Sequence, residues 1–153
     1  MIRKTISFIL SALFVVATVS VGTAAFAYDT VGQSRTIIET YEDGSYGVVT
    51  VTEFQSETRA TKNGQKKYEY YNSSNVKQWT VYLNASFTYT GSSATCTSAT
   101  PSYSINNNTW SVTKALASRS GATATGTFTV KQYGIFTVDK TLTLTCSASG
   151  VLS

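Results

Sequence analysis

From Trp79 to Tyr89 the chain alternates without a break. Trp79, Val81, Leu83, Ala85, Phe87 and Tyr89 occupy one parity, and Thr80, Tyr82, Asn84, Ser86 and Thr88 occupy the other. Successive side chains of a strand point to opposite faces, so this period of two buries one face and wets the other, whereas a helix would scatter the same residues around its circumference. The segment therefore reads as a β-strand with one face on a core. It is long against the usual strand of about 5–6 residues, so a bend or bulge is expected within it.

Shorter segments repeat the pattern. Thr36–Tyr41 and Tyr46–Phe54 flank the turn signal Glu42-Asp43-Gly44-Ser45 and read as a hairpin. Ser56–Lys67 is polar and basic, contains Asn63-Gly64, and reads as a loop. Lys67–Asn72 reads as a short strand ending in the turn Asn72-Ser73-Ser74-Asn75, and Ala94–Thr97 resumes a strand after Gly91-Ser92-Ser93. Trp110, Val112 and Leu116 then share a parity, as do Ala122, Ala124, Gly126, Phe128 and Val130, and finally Val138, Leu142, Leu144 and Cys146. Turns at 106–108, 120–121 and 132–134 separate these runs, and residues 114–120 could form a helical turn without altering the class. Only 13% of residues are charged, against about 25% in ordinary globular domains. Polarity comes instead from Thr, Ser and Asn, and Thr favours strands. The expected fold is an all-β, antiparallel, immunoglobulin-like β-sandwich.

The immunoglobulin comparison rests on Cys96, Trp110 and Cys146, the order in which immunoglobulin domains place a core Trp against an inter-sheet disulfide. Leu144, not Tyr, stands two residues before Cys146, so the tyrosine corner is missing. An even cysteine count in a secreted chain predicts one disulfide, Cys96–Cys146.

Secretion is predicted from the N-terminus. Arg3 and Lys4 precede an apolar run from Ile6 to Val21, followed by Ala25-Phe26-Ala27, a small-x-small cleavage site. The expected organisation is a signal peptide over 1–27, an acidic β-hairpin segment over 28–58 and the sandwich domain over 59–153. The product is expected outside the cell with no membrane span after cleavage. Losing Arg3 and Lys4 lowers the formal charge of +4 to +2. Residues 28–58 carry Asp29, Glu39, Glu42, Asp43, Glu53 and Glu57 against Arg35 alone, while the remainder is basic.

The chain has no His. That excludes Ser-His-Asp and Cys-His catalysis and His-ligated metal. Two Cys cannot make a four-thiolate zinc site within one chain. Paired carboxylates remain available in the acidic hairpin, but they read as solvated charges that discourage edge pairing. Glu42-Asp43-Gly44 lacks the alternating oxygen ligands of a calcium loop. The expectation is a non-enzymatic protein without cofactor or metal.

A candidate binding surface lies where Lys66, Lys67, Tyr68, Tyr70 and Tyr71 adjoin, with Tyr82 on the polar parity of the long strand. Exposed Tyr can stack on sugars or contact protein, and Lys can hold polyanions. The expected partner is a cell-wall polymer or an extracellular protein, and no nucleic acid, since the net charge after the leader is small. A second possibility is a cationic, bacteriocin-like effector restrained by 28–58 as a pro-segment. Its processing sites would be Ala27 and Arg59, the latter within Glu57-Thr58-Arg59-Ala60-Thr61-Lys62.

Several blocks carry a family resemblance: Thr36–Tyr46, Tyr70-Tyr71-Asn72 with Trp79-Thr80-Val81, Phe87–Ser92 leading to Cys96-Thr97-Ser98, Ala117–Ala124, and Leu144-Thr145-Cys146 with Gly150-Val151-Leu152-Ser153. The chain resembles short secreted proteins of clostridia and related Gram-positive bacteria, a family without an assigned activity. The resemblance implies a bacterial, extracellular origin and supplies no catalytic residue.

Overall fold

The computed structural model describes residues 4–5, 30–54 and 60–153, so Ala27, Glu57 and Arg59 lie outside the described residues. The regular structure is β1 (Lys4–Thr5), β2 (Thr30–Tyr41), β3 (Tyr46–Phe54), β4 (Thr61–Tyr71), β5 (Lys77–Tyr89), β6 (Ala94–Ile105), β7 (Trp110–Ser120), β8 (Thr123–Gln132) and β9 (Phe136–Thr145). Two antiparallel sheets result. The larger runs β1-β2-β3-β4-β5-β6, with β1 a two-residue pairing at its edge, and the smaller runs β7-β8-β9. No helix among the described residues is long and apolar enough to cross a membrane.

The β-sandwich expectation is met at the level of class and layers, and its immunoglobulin-like refinement is corrected. Within each sheet every strand pairs with the next in sequence, and the chain changes sheet once, between β6 and β7, whereas immunoglobulin strands switch between sheets repeatedly. Trp110 also sits far from the cysteines. It starts β7 beside the β6–β7 turn and meets Tyr70, Trp79 and Phe136. Cys96 and Cys146 lie at the other end of the sandwich, near the Gly121-Ala122 turn.

On β5 the alternating face is the core: Trp79, Val81, Leu83, Ala85 and Phe87 are buried. The expected irregularity in this long strand lies between Ser86 and Phe87, where the register to β6 shifts. Phe128, Val130, Val138, Leu142 and Leu144 close the core from the smaller sheet. The opposite face of that sheet is largely threonine, with Thr127 opposite Thr141, Thr125 opposite Thr143 and Thr123 opposite Thr145. Such cross-strand pairs suit a wetted face, because the methyl packs and the hydroxyl stays hydrated.

Two expectations about local structure are overturned. Residues 61–67 are strand, not loop: Asn63 pairs with Phe54 on one side and Ser86 on the other. Gly64 is there for space, since a β-carbon would strike Leu152 and press on Leu144. The possible helical turn at 114–120 is likewise strand, paired along its length with β8.

Gly47 marks the tightest approach in the larger sheet. A β-carbon at this position would collide with the ring of Tyr68. Gly47→Ala is expected to destabilise the fold by roughly 1–3 kcal/mol, the usual cost of overpacking. A lowered urea midpoint with an unchanged slope is the measurement that checks this.

Candidate functional site

The face of the larger sheet turned away from the smaller one carries aligned polar rows. Register places Thr52, Gln65, Asn84 and Thr100 in one row across β3 to β6, and Phe54, Asn63, Ser86 and Ser98 in the next. All of these but Thr52 line a groove of about 390 Å³ in which Gly64 and Ala85 also take part. No charged residue lines it among the described residues. Gln65 Nε2 donates to Asn84 Oδ1 at 2.7 Å, and Asn84 Nδ2 donates to Ser102 Oγ at 3.4 Å, so both amides are held in a defined orientation. The groove therefore presents amides and hydroxyls beside one aromatic ring, and holds no carboxylate or thiol to act as base or nucleophile. Such a surface can hydrogen-bond a hydroxyl-rich neutral ligand and pack against its apolar face.

The stripe expected at Lys66–Tyr71 does not form one surface. Neighbouring residues of β4 point to opposite faces. Tyr68 and Tyr70 are buried in the core, stacked on Trp79 at 5.4 and 5.2 Å between ring centroids. Lys66 points the same way and donates to the carbonyl of Thr143 at 2.8 Å, with burial pushing its ammonium pKa down. Only Lys67, Tyr71 and Tyr82 remain for the outer face. Lys67 is 3.3 Å from Glu69, and Tyr71 stacks on Tyr46 at 5.0 Å. Sequence reasoning missed Phe54, Asn63, Gln65, Ser98 and Thr100. Asn84 and Ser86 were on the recognised polar parity, but the strands that flank them were not known.

The acidic hairpin is built into the molecule. β3 pairs with β4 over nine positions. Asp43 caps its own turn through the amide and hydroxyl of Ser45, and Glu53 pairs with Lys62. Glu39, expected to be solvated, instead crosses to the smaller sheet. Its carboxylate accepts from the ammonium of Lys140, from the hydroxyl of Tyr41 and from the hydroxyl of Tyr68 at 3.2 Å. Lys140 also donates to the Tyr41 hydroxyl at 3.1 Å and lies 4.7 Å from the centroid of the Tyr68 ring. The sequence signal was a lysine on the apolar parity of Val138, Leu142 and Leu144, a position that only a buried partner makes tolerable. Burial raises the hydroxyl pKa values of Tyr41 and Tyr68 well above the ordinary tyrosine range, and the adjoining carboxylate raises them further.

Cys96 and Cys146 are both buried thiols in the structure, so the expected bond between them is not formed there. They nevertheless sit together. The amide of Cys96 donates to the carbonyl of Gly121 at 2.7 Å, and that of Cys146 to the adjacent carbonyl of Ala122 at 3.0 Å. Burial raises both thiol pKa values, which disfavours the reactive thiolate.

No protein-family model, curated protein or solved structure matches the chain.

Two outcomes are expected from the buried cluster. Glu39→Gln removes the carboxylate facing the buried Lys140 ammonium and should lower stability by about 1–3 kcal/mol, the cost of losing a charged hydrogen-bond partner at a part-buried site. This is readable as a fall in the urea midpoint. Tyr68 stays neutral in the folded chain at a pH where an unfolded tyrosine ionises. Its contribution is thus complete below about pH 10 and is lost as pH rises beyond that. Tyr68→Phe should flatten the alkaline decline of the midpoint.

Proposed function

We propose that this chain is a secreted, non-enzymatic binding module that holds cell-wall glycan against the outer face of its larger sheet. The observation that carries the reading is the uncharged groove of amides and hydroxyls beside Phe54. Polymers of sugar offer the matching chemistry: a dense array of hydroxyls, with C–H faces that pack on an aromatic ring. The leader pattern at 1–27 and the resemblance to secreted Gram-positive proteins support the same setting. Cleavage after Ala27 would take β1 with it and uncover the edge of β2 at Thr40 and Tyr41. In an oxidising medium Cys96 and Cys146, side by side and buried, would close into a disulfide. The effector reading gains less support. Removing 28–58 would strip β2 and β3 from the sheet and leave Lys140 and Tyr68 without Glu39.

Retention on purified Gram-positive cell wall at moderate salt tests the proposal. The parent protein is expected to bind, and Asn84→Ala or Phe54→Ala to weaken binding about tenfold, the worth of one good contact. Lys67→Ala should bind as the parent does. Absence of retention, or loss only with Lys67→Ala, overturns it. Intact mass of the natural secreted product should show the chain from Tyr28 with two hydrogens missing.

A further inference from the structure

The turn between β8 and β9 departs from the rest of the smaller sheet. Behind it the outer face is threonine, but its tip reads Tyr133-Gly134-Ile135-Phe136. Ile135 is 87% exposed, Tyr133 73% and Phe136 36%. The tip is firmly held. Ile135 N–H donates to the carbonyl of Gln132 at 3.0 Å, Tyr133 N–H donates to that of Thr109 at 2.9 Å, and the Phe136 ring stands edge-on to Trp110 at 6.0 Å. Tyr133 and Gly134 have φ of 51° and 72°. Asn-Gly is the pair such a turn takes when folding alone decides, because a bulky β-carbon is crowded at positive φ. Tyrosine is thus the poorer residue for the turn and the better one for contact with something outside the molecule.

We propose that this tip inserts into the interfacial layer of a lipid bilayer carrying anionic headgroups. Ile135 and Tyr133 project from the turn while Phe136 rests on Trp110 behind them, so the apolar surface is convex. A protein partner would need a matching cavity, whereas the headgroup and acyl boundary closes around a projecting tip on all sides. Tyr is a residue type that such a boundary favours. One row behind the tip, Lys131 faces outward opposite Thr137 and Ser111, in position to meet a lipid phosphate. The neighbouring turn, Asn106-Asn107-Asn108, is uncharged and can approach the headgroups without burying a charge. The groove lies toward the other end of the larger sheet, at the rows of Asn84 and Ser86, and stays open while the tip is inserted. This inference does not depend on what the groove binds.

Flotation with vesicles of phosphatidylcholine and phosphatidylglycerol tests it. The protein is taken from the medium of a secreting host and its N-terminus confirmed by mass, so that the apolar run Ile6–Val21 does not contribute. The parent protein is expected to float with the vesicles, and Ile135→Ser to bind at least about tenfold more weakly, the worth of one buried aliphatic side chain. Tyr133→Asn should also bind more weakly while unfolding at the same or a higher temperature, a combination that a purely structural role does not produce. The proposal is overturned if the parent stays soluble, or if both variants float as it does. It is overturned equally if Lys131→Gln abolishes binding that Ile135→Ser leaves intact, or if the tip instead mediates self-association that Ile135→Ser removes in sedimentation.

Discussion

The indole of Trp79 lies between the rings of Tyr68 and Tyr70 on its own sheet and meets Trp110 from the other. Large flat side chains carry the most apolar area per residue, and here five of them, Tyr68, Tyr70, Trp79, Trp110 and Phe136, gather at one end of the sandwich. Their burial sets which parity of β4 and β5 faces inward, and hence which residues face out. Glu39 and Lys140 complete the same junction on the β2 side, where the smaller sheet no longer covers the larger one. The ammonium lies over the Tyr68 ring and against the carboxylate, so charge and aromatic packing hold the hairpin in place together.

With the inner faces committed in this way, the molecule is left with two quite different outer faces. That of the smaller sheet is threonine, regular and wetted. That of the larger sheet is uneven: Lys67 and Lys77 share Glu69 toward one end, and neutral amides and hydroxyls surround a recess toward the other. Chemistry that needs an ionisable group has little to work with in that recess. Recognition by many weak, neutral hydrogen bonds fits it better.

Much of the fold was legible because a period of two is a local property. The buried face of β5, its irregularity and the turns between strands could all be read from residue types alone. Thr61–Lys67 was misread because Asn63-Gly64 looks like a turn, when the glycine answers instead to Leu144 and Leu152 from distant parts of the chain. Lys66, Tyr68 and Tyr70 were grouped with Lys67 and Tyr71 because alternation is hard to see where both parities are built from Lys and Tyr. The groove was illegible for a different reason. It exists only after four strands take their register, and no single strand contains more than a third of it. The immunoglobulin comparison failed on topology, since three residues in the right order say nothing about which strands share a sheet.

The pairing of each strand with its successor inside each sheet has a consequence for how the chain reaches this state. A ribosome delivers the N-terminus first, and in a meander each strand after the first of its sheet finds its partner already present. Hairpin after hairpin can zip in order within a sheet, while β7, which opens the smaller sheet, waits for β8. The contacts of Lys140 with Glu39 and Tyr41 are of another kind, because they span 101 and 99 residues. Contacts of such long range come late, after the loop they close has been ordered by other means. The half-buried ion pair is thus the latch of an assembly line, fastened once the last strand has arrived.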